Sequence, residues 1–154
     1  MILYETEFQK VSPEQYGKLV EYANIKLPAM ATRKSAGYDF FLPHDVTLAP
    51  GETAKIATGI RVKIDDGWFL AIYPRSSLGF KYRCQIDNTV GIIDSDYYFA
   101  DNEGHIFIKI TNRGTQTLSL EKGKAFAQGV FVEYGITYDD DCQTARKGGF
   151  GSTD

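Results

Sequence analysis

Near its middle the chain reads Val90-Gly91-Ile92-Ile93-Asp94-Ser95-Asp96-Tyr97. This apolar run ends in a carboxylate, so Asp94 is predicted at the mouth of a strand or tight hairpin, beside Ile92 and Ile93. Apolar neighbours exclude water and can tune a carboxylate to act as a base. Tyr97 follows three residues later and could cover the same pocket with a flat ring and a polar tip. The alternative is a hairpin whose Asp-Ser-Asp is only a solvated turn.

The bulk composition predicts a single globular domain. The chain has 154 residues, of which 43% are hydrophobic and 24% charged, as in ordinary soluble domains. The net charge of −3 argues against a nucleic-acid partner. Cys84 and Cys142 are too few for a disulfide framework and fit no zinc spacing. The sequence has neither a signal-like start nor a segment of membrane length, so we expect a cytoplasmic protein without a membrane partner.

The hydrophobic pattern predicts short strands and one helix. Ser12 is a candidate N-cap, followed by Pro13 and by Gln15 as its reciprocal partner, and the spacing beyond them predicts an amphipathic helix of about 10 residues. Residues 2–9 are a candidate edge strand, and residues 29–35 resemble an exposed connection. Further strands are predicted at residues 46–48, 54–58, 60–64, 68–73, 106–110, 118–120 and 125–134. Frequent turns between them indicate an all-β fold, a jelly-roll-like barrel or sandwich.

The C-terminal residues 139–154 have the composition of a flexible end. Phe150 stands alone among glycines there and has no use in a core. It makes sense if the segment folds over a ligand, with the ring stacked on a flat group and with backbone amides, hydroxyls and arginine around an anion. The alternative is a plain flexible linker.

Four further patterns carry polar groups to strand ends. Asp39 follows an aromatic residue where a strand opens, and Arg75 with two serines follows the apolar strand 68–73. Arginine and hydroxyls at such a point can bind phosphate oxygens. Asn88 offers a donor and an acceptor suited to the edge of a base. Gln128 interrupts an apolar run and is either an edge residue or a group directed at a site.

In this order the patterns resemble the trimeric dUTP diphosphatase (dUTPase) family over residues 36–153, in the type found in Gram-positive bacteria and their phages. The resemblance implies a jelly roll that assembles as a homotrimer, and hydrolysis of dUTP to dUMP and pyrophosphate with Mg²⁺ as cofactor. Such a reaction removes dUTP and supplies dUMP for dTMP synthesis.

The resemblance also implies a role for each matched residue. Asp94 matches the carboxylate that activates the attacking water, Tyr97 the aromatic residue that packs on deoxyribose, and Asp39 the acid linked through water to Mg²⁺. The remaining matches contact substrate: Arg75, Ser76, Ser77 and Gln128 at the phosphates, Asn88, Gly91, Ile92 and Ile93 at uracil, and Arg146, Phe150, Gly151, Ser152 and Thr153 in a closing arm.

The implied organisation is a domain of residues 1–138 and an arm of residues 139–154 that closes over a neighbouring active site. Each site would take residues from three subunits. Two departures from the family pattern stand out. An insertion follows Tyr97 at residues 98–104, and the arginine of the arm lies one residue closer to its glycine pair, which leaves Arg146 or Lys147 for the terminal phosphate.

Three other functions fit parts of the sequence. A dCTP deaminase shares the fold but needs a glutamate where this chain has Lys109. A nucleotide-gated module could bind a protein partner through loop 98–104, whose neighbouring aromatics Tyr97, Tyr98 and Phe99 form a candidate hot spot. A structural capsid-like jelly roll would leave the arm and the Arg-Ser-Ser pattern unexplained.

Overall fold

The computed structural model of the chain describes residues 1–149 and 151, and within this part the chain forms twelve strands and three short α-helices. The strands are β1 (Glu7–Lys10), β2 (Ala29–Met30), β3 (Tyr38–Phe41), β4 (Val46–Leu48), β5 (Thr53–Ala57), β6 (Ile60–Lys63), β7 (Trp68–Pro74), β8 (Cys84–Ile86), β9 (Gly91–Ile93), β10 (Phe107–Asn112), β11 (Leu118–Leu120) and β12 (Ala125–Glu133). The helices are α1 (Pro13–Tyr16), α2 (Leu19–Tyr22) and α3 (Ser76–Tyr82), and residues Ser95–Phe99 form one 3-10 helix.

The strands pair antiparallel in two sheets and two smaller ribbons. The larger sheet has the order β2-β3-β12-β7-β9 and the smaller one β5-β10-β8, while β1 pairs with β6 and β4 with β11. Apolar residues on alternate positions of these strands face one common core, as period-two patterning requires. Its largest buried side chains include Phe40, Leu42, Ile56, Leu70, Ile72, Ile106, Ile110 and Phe126. This is the all-β architecture that the turn spacing predicts.

The N-terminal helix differs from its prediction. Gly17 adopts a φ of 81°, which ends α1 after one turn, so two single turns replace the expected helix of about ten residues. Ser12 caps α1 as predicted and accepts the N–H of Gln15 at 3.2 Å. The reciprocal capping bond to Ser12 is made by a distant residue and not by Gln15. Glu103 accepts both the N–H of Ser12 at 2.8 Å and its hydroxyl at 2.6 Å. These bonds lower the pKa of Glu103 below its usual value.

Helix α3 was not predicted from the pattern. After Arg75 the chain continues into two helical turns whose buried contact is Leu78. The apolar face predicted for the N-terminal helix is only partly observed, since Tyr16 is buried whereas Leu19 and Val20 are exposed. No helix among residues 1–149 and 151 is long and apolar enough to cross a membrane.

The two strands on either side of Asn88 do not pair with each other as a hairpin. Strand β8 pairs with β10 in the smaller sheet, and β9 pairs with β7 in the larger one. The turn 87–90 therefore leads from one sheet to the other. It holds its shape through a bond of 2.9 Å from the N–H of Thr89 to the carbonyl of Ile86.

His105 is a buried residue that joins the inserted loop to the N-terminal segment. It is 1% exposed, and its Nε2 accepts the N–H of Gly59 at 2.9 Å. The Gln15 side-chain amide lies 3.4 Å from Nδ1, and the ring of Phe107 lies 4.3 Å away between centroids. Burial lowers the pKa of His105 to about 4. The imidazole is therefore neutral at pH 7, as its acceptor role at Nε2 requires.

We expect acid to destabilise the fold through His105. The pKa is lower in the folded protein than in the unfolded chain, so the unfolded chain binds a proton first as the pH falls below about 6.5. Stability should then decrease by about 3 kcal/mol between pH 6.5 and pH 4 and level off below that. Denaturant unfolding at several pH values measures the loss. His105→Gln should remove this step and His44→Gln should keep it; an equal slope in both variants would contradict the assignment.

Candidate active site

Asp39, Arg75 and Gln128 meet at the end of the large sheet. Gln128 on β12 lies opposite Asp39 of β3 on one side and Tyr73 of β7 on the other. Asp39 is 8% exposed and accepts a hydrogen bond from the Arg75 guanidinium in an ion pair. Gln128 donates to the carbonyl of Pro74 at 3.2 Å. The pairing of β3, β12 and β7 thus assembles three residues that are distant in sequence.

Gly37 is the position that leaves room for Gln128. A Cβ at Gly37 would lie 2.7 Å from the side-chain Oε1 of Gln128, which is closer than atoms pack. The glycine of the Ala-Gly-Tyr-Asp pattern is therefore needed for the polar side chain rather than for a turn. Ser76 and Ser77 begin α3 directly after Arg75, and both are exposed.

Asn88 and Gly91 lie where β8 and β9 diverge. A small enclosed space between the two strands is lined by Ile72, Ile86, Asn88, Gly91, Ile93 and Phe107. An adjoining groove of about 360 Å³ is lined by Lys55, Asp87, Asn88, Phe107 and Lys109. Gly91 fits closely, since a Cβ there would lie 3.1 Å from Cβ of Ile72.

Asp94 follows β9 and precedes the 3-10 helix that carries Tyr97. The Asp94 side chain is 51% exposed, so it is open to water. The two apolar residues predicted beside Asp94 differ in burial, because adjacent strand residues point to opposite faces. Ile93 is buried, whereas Ile92 is 60% exposed.

Tyr97 packs its ring in the core and uses its hydroxyl within the loop. It is 4% exposed, its hydroxyl donates to the carbonyl of His105, and the Asn102 amide donates to Tyr97 Oη at 2.9 Å. Burial raises the pKa of Tyr97, and the nearby Asn102 amide and Arg146 guanidinium oppose the rise. The phenol is neutral at pH 7, so Tyr97 can position a ligand but supplies no charge.

Arg146 of the arm lies on the carboxylates of its own chain. Its Nη2 is 2.6 Å from Asp94 Oδ2 and its Nε donates to Asp96 Oδ1 at 2.8 Å. A cavity of about 200 Å³ opens beside this contact. It is lined by Ile92, Ile93, Asp94, Tyr97, Arg146, Gly149 and Gly151.

Most predicted site residues therefore fall into three groups: Asp39 with Arg75 and Gln128, Asn88 with Gly91, and Asp94 with Tyr97 and Arg146. Lys147 is exposed and contributes its backbone carbonyl to the loop. The expectations for Phe150, Ser152 and Thr153 concern residues outside the described ones.

Sequence reasoning assigned no role to Asp96, Asn102 and Phe107, which lie in or beside these groups. Asp96 could have been noticed as a second acid two residues after Asp94, facing a basic arm. Asn102 carries no comparable signal, because its contacts depend on how the insertion folds, and the sequence marks Phe107 only as a strand residue.

The donor set for a metal ion is small. Within residues 1–149 and 151, no group of three or more His, Cys, Asp or Glu side chains is arranged to hold a metal ion. The buried carboxylate of Asp39 is available beside Arg75. A single carboxylate fits Mg²⁺ that is bound mainly by substrate phosphates and water, which is the usual arrangement for this ion.

Three comparisons with known proteins place the chain among its relatives. The family model for dUTPase matches residues 23–154. A deoxyuridine 5'-triphosphate nucleotidohydrolase of Lactococcus lactis subsp. lactis is 41% identical over 134 residues, which cover 85% of this chain and 89% of that relative. The crystal structure of a dUTPase from Streptococcus mutans matches with a TM-score of 0.68 and 31% identity, covering 84% of this chain and 97% of the other. A dUTPase of phage phi11 of S. aureus, described with a structural Mg(II) ion, has the same fold at a TM-score of 0.68 and 21% identity, covering 90% and 97% of the two chains.

The fold and its relatives define the class of protein as a nucleotidohydrolase of the jelly-roll type. Within that class, the chain belongs to the dUTPase family. The predicted family, fold class and enzyme class are confirmed, and a hydrolase acting on dUTP is the function that its relatives support.

Proposed function

We propose that this chain hydrolyses dUTP to dUMP and pyrophosphate, with Asp94 as the base. The observation that carries the residue assignment is the position of Asp94. It is a half-exposed carboxylate at the edge of a cavity that also contains the Tyr97 ring and the Arg146 guanidinium. Hydrolysis of a nucleotide phosphate ester needs a base, an aromatic surface and a cation around one space.

Base recognition is assigned to the space between β8 and β9. The space between the strands is only about 10 Å³, so a flat ring would enter where the two strands, which belong to different sheets, separate at Asn88 and Gly91. Ile72 and Ile86 make this space apolar and narrow. A narrow space rejects the methyl group of thymine, and fixed backbone donors and acceptors reject the amino pattern of cytosine.

Sugar recognition is assigned to Tyr97. Its ring is fixed by the core and its hydroxyl by Asn102 and His105, so the ring cannot move aside for a 2′-hydroxyl. This rigidity supports selection for deoxyribose over ribose.

Asp94 accepts a proton from a water molecule, whose oxygen attacks the α-phosphorus. The bond between the α-phosphorus and the oxygen that bridges to the β-phosphate breaks, and pyrophosphate leaves with that oxygen. Arg75 and Arg146 balance the charge that develops on the phosphate oxygens, with Ser76 and Ser77 as hydroxyl donors. Bound Mg²⁺ would neutralise and orient the triphosphate, and Asp39 is the acid that would hold it through water.

Arg146 must release Asp94 before the water can be activated. In the chain described here one oxygen of Asp94 is paired with Arg146. The triphosphate offers Arg146 a stronger anionic partner, so substrate binding would transfer the guanidinium from carboxylate to phosphate.

We further propose a homotrimer in which the three groups of residues come together from different subunits, and in which the arm reaches a neighbouring site. The cavity beside Asp94 supports this arrangement, because Asp39, Arg75 and Gln128 do not line it within one chain. The contact that the arm makes within one chain supports the competing arrangement, in which each arm closes over a site of its own chain. An experiment with mixed trimers separates the two arrangements.

A role of loop 98–104 in binding a protein partner stays a prediction. Tyr98 is engaged by the chain itself, since the Arg61 guanidinium lies 3.7 Å from its ring centroid and its hydroxyl donates to Gln9 at 2.8 Å. Phe99 is 74% exposed and is the residue of this loop that would serve as an anchor. The deaminase alternative remains disfavoured by Lys109, which faces Lys55 and is 3.5 Å from Asp87.

The first test is pyrophosphate release from dUTP, dCTP, dTTP and UTP, each with and without Mg²⁺. We expect release from dUTP alone, with turnover at least about a hundredfold higher in the presence of Mg²⁺. Release from UTP would contradict the role of Tyr97, and release from dTTP or dCTP would contradict the assigned base pocket. Ammonia release from dCTP would favour the deaminase.

A further inference from the structure

Three contacts attach the inserted loop to the N-terminal segment (residues 9–15), and none of them takes part in the proposed function. Each joins side chains that lie 89 to 91 positions apart in sequence: Gln9 with Tyr98, Ser12 with Glu103, and Gln15 with His105. Glu103 makes the closest of these contacts, because both of its carboxylate oxygens accept bonds from Ser12, at 2.8 Å and 2.6 Å. The loop is therefore held along its length by one distant segment.

Between these contacts the loop folds back on Tyr97. The N–H of Ala100 donates to the Tyr97 carbonyl at 3.0 Å, and the Asn102 amide donates to Tyr97 Oη at 2.9 Å. The Tyr97 hydroxyl donates in turn to the carbonyl of His105. Gly104 adopts a φ of 72°, and a Cβ there would lie 2.6 Å from the Tyr97 carbonyl oxygen, so the return of the chain requires glycine. The loop thus holds Tyr97 by its backbone and by its hydroxyl.

The loop and the N-terminal segment are both attached to the body of the domain. Val11 is fully buried, and its N–H donates to the carbonyl of Gly59 at 2.9 Å. Arg61 on β6 donates from Nη2 to the carbonyl of Tyr98 at 2.8 Å, and its guanidinium lies 3.7 Å from the centroid of the Tyr98 ring. The N-terminal segment is therefore a fixed support for the loop.

We propose that the N-terminal segment, acting through the inserted loop, fixes the Tyr97 ring against the 2′ position of the sugar, and that Gln9 and Glu103 are positioning residues for the selection of deoxyribose. An apolar surface by itself rejects an added hydroxyl only weakly. Selection against ribose then depends on how rigidly the ring is held, and the loop supplies that rigidity. This inference rests on the proposed dUTP hydrolysis and on the assignment of the sugar to Tyr97.

Hydrogen exchange without nucleotide tests the support of the loop. Amide exchange of residues 97–106 is followed by mass spectrometry on the full-length protein and corrected for the intrinsic rate of each sequence. Glu103→Ala and Gln9→Ala should each accelerate this exchange about fivefold, the factor that the loss of one partly exposed hydrogen bond produces. Glu14→Ala removes an exposed carboxylate from the same segment and should leave the exchange unchanged. Exchange at the wild-type rate in both loop variants would overturn the proposal.

The ratio of kcat/KM for dUTP to kcat/KM for UTP, the latter measured at high enzyme concentration, tests the positioning role. Glu103→Ala and Gln9→Ala should each lower this ratio about fivefold. Glu103→Gln retains one acceptor oxygen for Ser12 and should keep most of the selectivity. A purely structural role would lower thermal stability and both activities alike, with no change in the ratio. Glu14→Ala is again the matched control.

A Tyr97→Leu background shows whether Glu103 acts through Tyr97. There Glu103→Ala should not lower the ratio further, and an additive effect would overturn the proposed route. If Glu103→Ala does not fold, Gln9→Ala decides, because Gln9 lies on a two-stranded ribbon and is not part of the hydrophobic core. An unchanged ratio in the variants of an active enzyme would overturn this inference alone, whereas a wild-type protein that does not hydrolyse dUTP would refute the proposed function.

Discussion

Asp94→Asn is expected to lower kcat for dUTP about a thousandfold while nucleotide binding persists. The amide has nearly the same shape as the carboxylate, but it cannot accept a proton from water, and general-base catalysis is typically worth two to four powers of ten, or about a thousandfold. Asp94 is half exposed, so the substitution should leave the fold intact. The loss should therefore fall on turnover and not on stability.

Calorimetric titration with a non-hydrolysable dUTP analogue measures the binding that should remain. Removal of the Asp94 charge also frees Arg146 from one of its two carboxylates. The analogue should thus bind as tightly as to the wild type, or a few times more tightly. Asp66→Asn is the control for the loss of a negative charge alone and should keep full turnover. Loss of binding in Asp94→Asn with normal thermal unfolding would show that Asp94 holds substrate and is not the base.

The strands were the predictable part of the fold. Alternation and turn residues are local signals, and β4 and β11 fall where the pattern puts them, while the long strands β7 and β12 differ from it by one residue at one end. The helices were harder because tertiary contacts decide them. Glu103, which lies in a distant loop, is the residue that caps Ser12. Gly17 ends the first helix although the apolar residues beyond it continue at helical spacing.

The candidate site was predictable as a set of residues but not as a set of contacts. The order of the motifs selects Arg75 and Asp94, which directly follow strands, and Asp39 and Gln128, which lie within them. Which residues pair with each other depends on strand neighbours that are far apart in sequence, such as β3 and β12. The divergence of β8 and β9 was missed for the same reason, since a short turn between two strands looks like a hairpin whichever sheets they join.

Deletion of residues 144–154 is expected to leave a folded protein with about a hundredfold less activity. The described part of this segment contacts the rest of the chain mainly through Arg146 and the inserted loop, and none of the core residues belongs to it. Misplaced or missing closing elements typically cost about two powers of ten in rate or more. Thermal unfolding and gel filtration should match the full-length protein, and pyrophosphate release should fall. Full turnover by the truncated protein would remove the arm from the mechanism.

Mixing the truncated protein with Asp94→Asn then decides whose site the arm serves. Each is inactive alone, one for lack of the arm and the other for lack of the base. If the arm reaches a neighbouring subunit, a mixed trimer contains sites with Asp94 from a truncated chain and the arm from its Asp94→Asn neighbour. Random assembly places this combination at about a quarter of the sites, so about a quarter of the wild-type activity should return.

The opposite outcome has an equally definite meaning. Mixed assemblies, isolated through two different affinity tags after joint refolding, would stay inactive if each arm closes on its own chain, as Arg146 does on Asp94 in the isolated chain. We expect activity to return, because Asp39, Arg75 and Gln128 do not line the cavity beside Asp94 in one chain, and a neighbouring subunit would bring them to it. Inactive mixed trimers would instead make the contact between Arg146 and Asp94 the working geometry of the enzyme, and the shared-site arrangement would have to be abandoned.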